Sequence, residues 1–126
     1  MAFNILIVDD DPVFRAIVSE LLSPWFTCVE ADDGDTALAY LDSAEVALVV
    51  TDILMPRLDG FELIRAVRAR RPGVPIIAVS GGSAGLEADM LLETASSMGV
   101  DAVTTKPLQP SPFLALVNRV LETARR

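Results

Sequence analysis

The chain has 126 residues, of which 52 % are apolar, and it carries a net charge of −8 with no histidine. This length and apolar share suit one folded domain and exclude intrinsic disorder. The acidic balance argues against direct nucleic-acid binding, which needs a basic face, and the missing histidine excludes Ser-His-Asp and Cys-His catalysis along with the commonest transition-metal ligand.

The first predicted strand covers residues 3–8 and runs straight into Asp9, Asp10, Asp11 and Pro12. Pro12 suits the first position of a helix and Asp11 the cap before it. That helix, 12–22, carries Val13, Ile17, Leu21 and Phe14, Val18, Leu22 on one side, and Ser23-Pro24 ends it. The second strand, 26–30, contains the sole cysteine, Cys28. With no partner for an internal disulfide, it reads as a buried structural thiol. Glu30 closes this strand, and the acidic turn Ala31-Asp32-Asp33-Gly34 leads to a short second helix at 35–42.

The third strand, 46–51, delivers Asp52. A third helix at 60–70 ends in Arg65, Arg68, Arg70 and Arg71, a solvated cluster that complements the helix dipole, and Pro72-Gly73 stops it. The fourth strand, 75–80, ends at Ser80. The glycine-rich stretch 81–85 after it lacks the Gly-Lys-Ser/Thr of a P-loop and reads as a mobile switch segment. The fourth helix spans 86–98 and stops at Gly99. The fifth strand, 102–105, delivers Lys106 and Pro107. The last helix begins with Ser111 as cap and Pro112 at its first position, and runs to 124.

Several strands, such as ALVV (47–50) and PIIAV (75–79), are apolar without alternation, as strands buried on both faces of a parallel sheet are. Five β-α units in succession predict an α/β domain with helices on both faces and right-handed crossovers. The chain reads as one domain over residues 1–126, with no output domain. No apolar run nears the roughly 20 residues needed to span a bilayer. No secretory leader is expected before the first strand, and a cytoplasmic location is expected.

In such a sheet, ligands bind beyond the carboxyl ends of the strands. The ends of strands one, three, four and five bring Asp9-Asp10-Asp11, Asp52, Ser80 and Lys106 to one rim. Clustered carboxylates raise one another's pKa unless a cation neutralises them. Oxygen ligands without His or Cys suit a hard ion such as Mg²⁺. A carboxylate beside that ion can attack phosphorus and hold the phosphoryl group as an acyl phosphate. A hydroxyl and an ammonium then hold the other phosphoryl oxygens. Lys106 is the only lysine among ten cationic residues. It is a compact point charge in a chain that otherwise uses the bulkier guanidinium.

At these spacings, ILIVDDDP (5–12), TDILMPRLDGFELI (51–64), VSGG (79–82) and TTKPL (104–108) resemble the receiver domain of bacterial two-component response regulators. The resemblance covers essentially the whole chain. It implies a doubly wound (βα)5 flavodoxin-like three-layer sandwich whose five parallel strands lie in the order 2-1-3-4-5. It implies a stand-alone, CheY-like response regulator phosphorylated by a histidine kinase or a histidine phosphotransfer protein. Asp52 is then the phospho-acceptor. Asp10, Asp52 and the backbone carbonyl of Leu54 ligate Mg²⁺ directly, and Asp9 acts through a bound water. Ser80 and Lys106 bond phosphoryl oxygens, while Asp11 caps the helix outside the site. A cis peptide between Lys106 and Pro107 is implied as well, against a background of about 5–6 % for X–Pro bonds. The only chemistry implied is self-phosphorylation and self-dephosphorylation. A downstream protein target is expected on the face of the fourth helix, fifth strand and fifth helix, with Met90, Leu91, Val103, Leu116 and Val120 as candidates.

Two features depart from the family pattern. Val103 stands where many receivers carry an aromatic switch residue, so coupling is expected through Ser80 and the 81–85 loop. Leu54 and Gly82 occupy positions that tune acyl-phosphate lifetime, and neither side chain can orient a water. Two other readings compete. A haloacid-dehalogenase-type phosphatase would use Asp9-x-Asp11 and carry the phosphoryl group on Asp9; Pro12, the missing acid after Lys106 and the short chain oppose it. A receiver-like binding module that no longer takes phosphate is opposed by the intact set Asp9, Asp10, Asp52, Ser80 and Lys106.

Overall fold

The computed structural model describes residues 4–53, 60–81 and 86–124. Five β-α units follow in order: β1 (Asn4–Val8), α1 (Pro12–Leu22), β2 (Thr27–Ala31), α2 (Gly34–Ser43), β3 (Leu48–Asp52), α3 (Gly60–Arg70), β4 (Ile76–Ser80), α4 (Leu86–Ser97), β5 (Ala102–Thr105) and α5 (Pro110–Ala124). The strands form one sheet in the order β2-β1-β3-β4-β5, and every pairing is parallel. This is the flavodoxin-like arrangement expected from the sequence.

Side chains alternate across the sheet and divide the core in two. Leu6, Val8, Val49, Ile76 and Ala78 face one side and pack with Ala37 and Leu41 of α2, Leu63, Ile64 and Val67 of α3, and Ala95 of α4. Ile5, Ile7, Leu48, Val50, Ile77 and Val79 face the other, against Phe14, Val18 and Leu22 of α1 and Phe113, Val117 and Leu121 of α5. Apolar residues on both faces explain the runs without alternation. Each such side chain contributes about 1.5–3 kcal/mol over leaving it in water.

The strand register determines where the site lies. Val8 pairs with both Ala31 and Thr51, Asp52 with Val79, and Ser80 with Thr105. The ends of β1, β3, β4 and β5 are therefore level, and the residues at or just after them share one rim.

Several local expectations change. Only the stripe Phe14, Val18, Leu22 of α1 is buried, whereas Val13 is 65 % and Ile17 51 % exposed. The two stripes lie a residue apart around the helix, and a flat sheet can cover only one of them. Helix α5 starts at Pro110 rather than Pro112, and Phe113 N–H donates to the Gln109 carbonyl at 3.0 Å. Both prolines lie in the first turn, where backbone N–H groups have no helical partner, so neither breaks the helix.

Three of the four arginines at the end of α3 are tied to partners, while Arg65 is exposed as the solvated cluster predicted. Arg68 donates to the carbonyls of Val74 and Gly99 and to Asp101, Arg70 pairs with Asp42, and Arg71 donates to the Leu41 and Ala44 carbonyls. Cys28 is half-buried rather than buried. Gly99 closes α4 at φ +84°, a conformation that costs little only for glycine.

Candidate functional site

At the end of β1, Asp9 is fully buried, and its Oδ1 accepts from Asp11 N–H at 2.9 Å. Asp11 turns outward, and its Oδ1 accepts from Val13 N–H at 2.9 Å as the cap of α1. The three consecutive carboxylates thus divide: Asp11 serves the helix, while Asp9 and the exposed Asp10 face the rim. Carboxylate oxygens of Asp9, Asp10 and Asp52 all lie within 4.8 Å of one another.

Asp52 is the last residue of β3 and is 5 % exposed. Its backbone is held closely. Thr51 Oγ1 donates to the Asp52 carbonyl at 3.0 Å, and Ile53 N–H donates to the Val79 carbonyl at 3.0 Å. Gly60, eight residues on, donates its N–H to the Ile53 carbonyl at 2.9 Å. A Cβ at Gly60 would stand 2.5 Å from that oxygen, so the close approach requires glycine.

Lys106 completes the rim from β5. Its Nζ lies 2.9 Å from Asp9 Oδ2 and 3.6 Å from Asp52 Oδ2. Its backbone N–H donates to the Ser80 carbonyl at 2.9 Å. Burial pushes the ammonium's pKa down, but the hydrogen bond to Asp9 and the charges of Asp52, Asp9 and Asp11 outweigh it and hold the value above normal. The bond from Lys106 to Pro107 is cis, as the resemblance implies. Ser80 is 2 % exposed, and its Oγ has no hydrogen-bond partner among the described residues.

All four strand-end residues named from the sequence therefore converge with Asp10. The Leu54 carbonyl and the Gly82–Gly85 part of the loop lie outside the described residues. An all-oxygen cluster of three carboxylates fits a hard divalent cation such as Mg²⁺. The buried Ser80 hydroxyl, lacking a partner among the described residues, fits an anionic oxygen arriving beside it.

Two residues that sequence reasoning did not assign to the site also touch it. Arg15 Nη1 donates to the Asp9 carbonyl at 2.6 Å while Arg15 Nε pairs with Glu30 at 3.1 Å. The Phe14 ring lies beneath Lys106, with Nζ 4.1 Å from its centroid. Their place on the first turn of α1, next to Asp11, was the one available signal.

Among the described residues, no helix is long and apolar enough to cross a membrane. Residues 5–118 match the response regulator receiver domain family. The chain is 36 % identical over 123 residues to the chemotaxis protein CheY of Pseudomonas aeruginosa, covering 94 % of this chain and 96 % of that one. It is 34 % identical over 122 residues to the two-component response regulator ORR5 of Oryza sativa subsp. japonica, covering 94 % and 88 %. The crystal structure of NtrX from Brucella abortus in complex with ADP superposes with a TM-score of 0.91 at 30 % identity, covering 99 % of this chain but 28 % of that longer one. With strand order, rim and sequence all in agreement, the chain belongs to the response regulator receiver domain family.

Proposed function

We propose that this receiver domain accepts a phosphoryl group on Asp52 in a Mg²⁺-dependent reaction and signals through a protein-binding surface that responds to it. The observation that carries the reading is the convergence on Asp52. Lys106 stands 3.6 Å away, the Asp9–Asp10 carboxylates lie alongside, and the Ser80 hydroxyl is buried without a partner among the described residues.

Asp10 and Asp52 would hold the ion with the Leu54 carbonyl, and Asp9 would act through a water. When bound, Mg²⁺ supplies the charge that lets crowded carboxylates and phosphoryl oxygens approach one another. The protein's own groups do the rest. The Asp52 carboxylate forms the bond to phosphorus as the donor's bond breaks, so the phosphoryl group is transferred and the donor leaves with the electron pair. Lys106 and Ser80 hold the equatorial oxygens.

The phosphatase alternative would place the group on Asp9. Asp9 is wholly buried, with Oδ1 accepting from Asp11 N–H and Oδ2 in an ion pair with Lys106, which argues against Asp9 as nucleophile.

The donor is a histidine kinase or a histidine phosphotransfer protein. Exposed Val13 and Ile17, with Pro107 and Leu108, line an open cleft of roughly 340 Å³ that reaches Lys106. This apolar surface beside the rim suits a donor protein that must bring its phosphohistidine to Asp52. The response is read on the α4-β5-α5 face. Met90 is exposed there, and Val103 and Leu116 line a groove with Arg119. Val120 belongs to the core instead, and nothing is described of the Leu91 side chain.

The deciding experiment is incubation with a small-molecule phosphodonor and Mg²⁺, followed by location of the acid-stable, base-labile adduct. Label on Asp52, lost in Asp52→Asn and on chelation of the metal, supports the reading; undiminished label in Asp52→Asn overturns it.

A further inference from the structure

We infer that Phe14 is a positioning residue for Lys106, its ring holding the ammonium between Asp9 and Asp52 by attraction of the charge to the π face. This rests on the proposed receiver chemistry and adds a residue to it.

The geometry is specific. Lys106 Nζ lies 2.9 Å from Asp9, 3.6 Å from Asp52 and 4.1 Å from the Phe14 centroid. The last is well inside the roughly 6 Å over which a ring quadrupole attracts a cation. The ring itself is fixed. Phe14 is 7 % exposed and belongs to the core stripe of α1, so it cannot swing away from the lysine.

Two carboxylates alone leave the ammonium a poor choice. It pairs closely with Asp9, whose Oδ2 it approaches without hydrogen-bond geometry, and more loosely with Asp52, and it must turn toward phosphoryl oxygens when the group arrives. A third carboxylate or carbonyl would compete for the N–H protons. An aromatic face attracts the charge without accepting a directed N–H bond, so it limits where the ammonium goes and leaves its donors free. The same arrangement gives a reason for lysine here. A guanidinium is planar and bulkier and would stack on the ring rather than point past it.

Lys106 is the only lysine in the chain, so selective ¹³C-lysine labelling reports on this one side chain. The test uses the whole chain with four replacements of Phe14. Phe14→Leu removes the ring and keeps an apolar residue, Phe14→Trp retains a π face, and 4-fluoro- and 3,4,5-trifluorophenylalanine weaken the quadrupole at nearly constant shape. The first readout is the Lys106 ε-methylene spectrum in metal-free protein. The expected result is two inequivalent protons shifted upfield by the ring in wild type, collapsing to one averaged signal in Phe14→Leu. The second is the rate of Asp52 labelling by a small-molecule phosphodonor at saturating Mg²⁺.

That rate should fall about three- to tenfold in Phe14→Leu, in stages along the fluorinated series, and recover in Phe14→Trp. Equal rates across the fluorinated series, or two inequivalent ε-protons persisting in Phe14→Leu, overturn the inference and leave Phe14 a packing residue. Absence of label in wild type sinks the receiver chemistry instead, and the lysine spectrum then decides the positioning role by itself.

Discussion

The ammonium of Lys106 lies 2.9 Å from a carboxylate of Asp9 that has no exposed surface. Removing only the cation leaves a buried charge uncompensated, which is the costly way to break such a pair. Lys106 is partly exposed, and solvent screening reduces the full cost. Lys106→Met should therefore lower stability in metal-free buffer by about 1–3 kcal/mol, read from urea midpoints. A pH series adds a sign. The folded state raises the Lys106 pKa above 10.5, because Asp9 and the other carboxylates outweigh burial. The native state then binds the proton more tightly than the unfolded chain. This contribution is complete below pH 10.5 and is lost as pH rises through the folded value. Wild type should lose stability more steeply than Lys106→Met in that window; parallel curves would contradict the pairing.

Val13 and Ile17 are surface residues beside the rim although the helix pattern placed them inward. If they meet the donor protein, a charge there should disturb docking and spare the chemistry. Ile17→Glu is expected to slow transfer from a cognate phosphohistidine protein by about tenfold, the effect of losing roughly 1.4 kcal/mol at an interface. Labelling by a small-molecule donor should change far less. Equal losses with both donors would place Ile17 in the site's support rather than in a docking surface.

Gly60 approaches the backbone on either side of Ile53 too closely for any side chain. Gly60→Ala should cost about 1–3 kcal/mol of stability, as overpacking does. The strain falls on the segment that carries Asp52, so Asp52 labelling should slow as well. Calorimetry and labelling on one preparation test both; a fully stable Gly60→Ala would mean that the α3 start can retreat at no cost.

The thiol of Cys28 is pushed above its ordinary value, first by burial and then by the charge of Glu30. The thiolate is the reactive form. Alkylation by iodoacetamide at pH 8 should be about tenfold or more slower in the native chain than in urea, and should quicken as pH rises. Comparable rates in both states would show a thiol that is neither shielded nor shifted.

Much of this molecule follows from neighbours in the chain. Apolar runs that end in charge mark strands buried on both faces, Asp11-Pro12 marks a helix start, and five β-α units in succession leave a parallel sheet with covered faces. In a parallel sheet the carboxyl ends lie together, so Asp9, Asp52, Ser80 and Lys106 were bound to share a rim. Contacts between distant residues were not legible in the same way. Periodicity placed both α1 stripes inward; only the sheet's finite width decided that Phe14 goes in and Val13 stays out. Arg68 and Arg71 read as part of a solvated cluster because their acceptors, Leu41, Ala44, Gly99 and Asp101, come from other elements. Phe14 and Lys106 meet only because α1 and the end of β5 pack on the same face of the sheet. Local pattern encodes which element a residue joins, through backbone preference and burial period. Which side chain it then touches depends on how whole elements pack, and no window of sequence contains both partners.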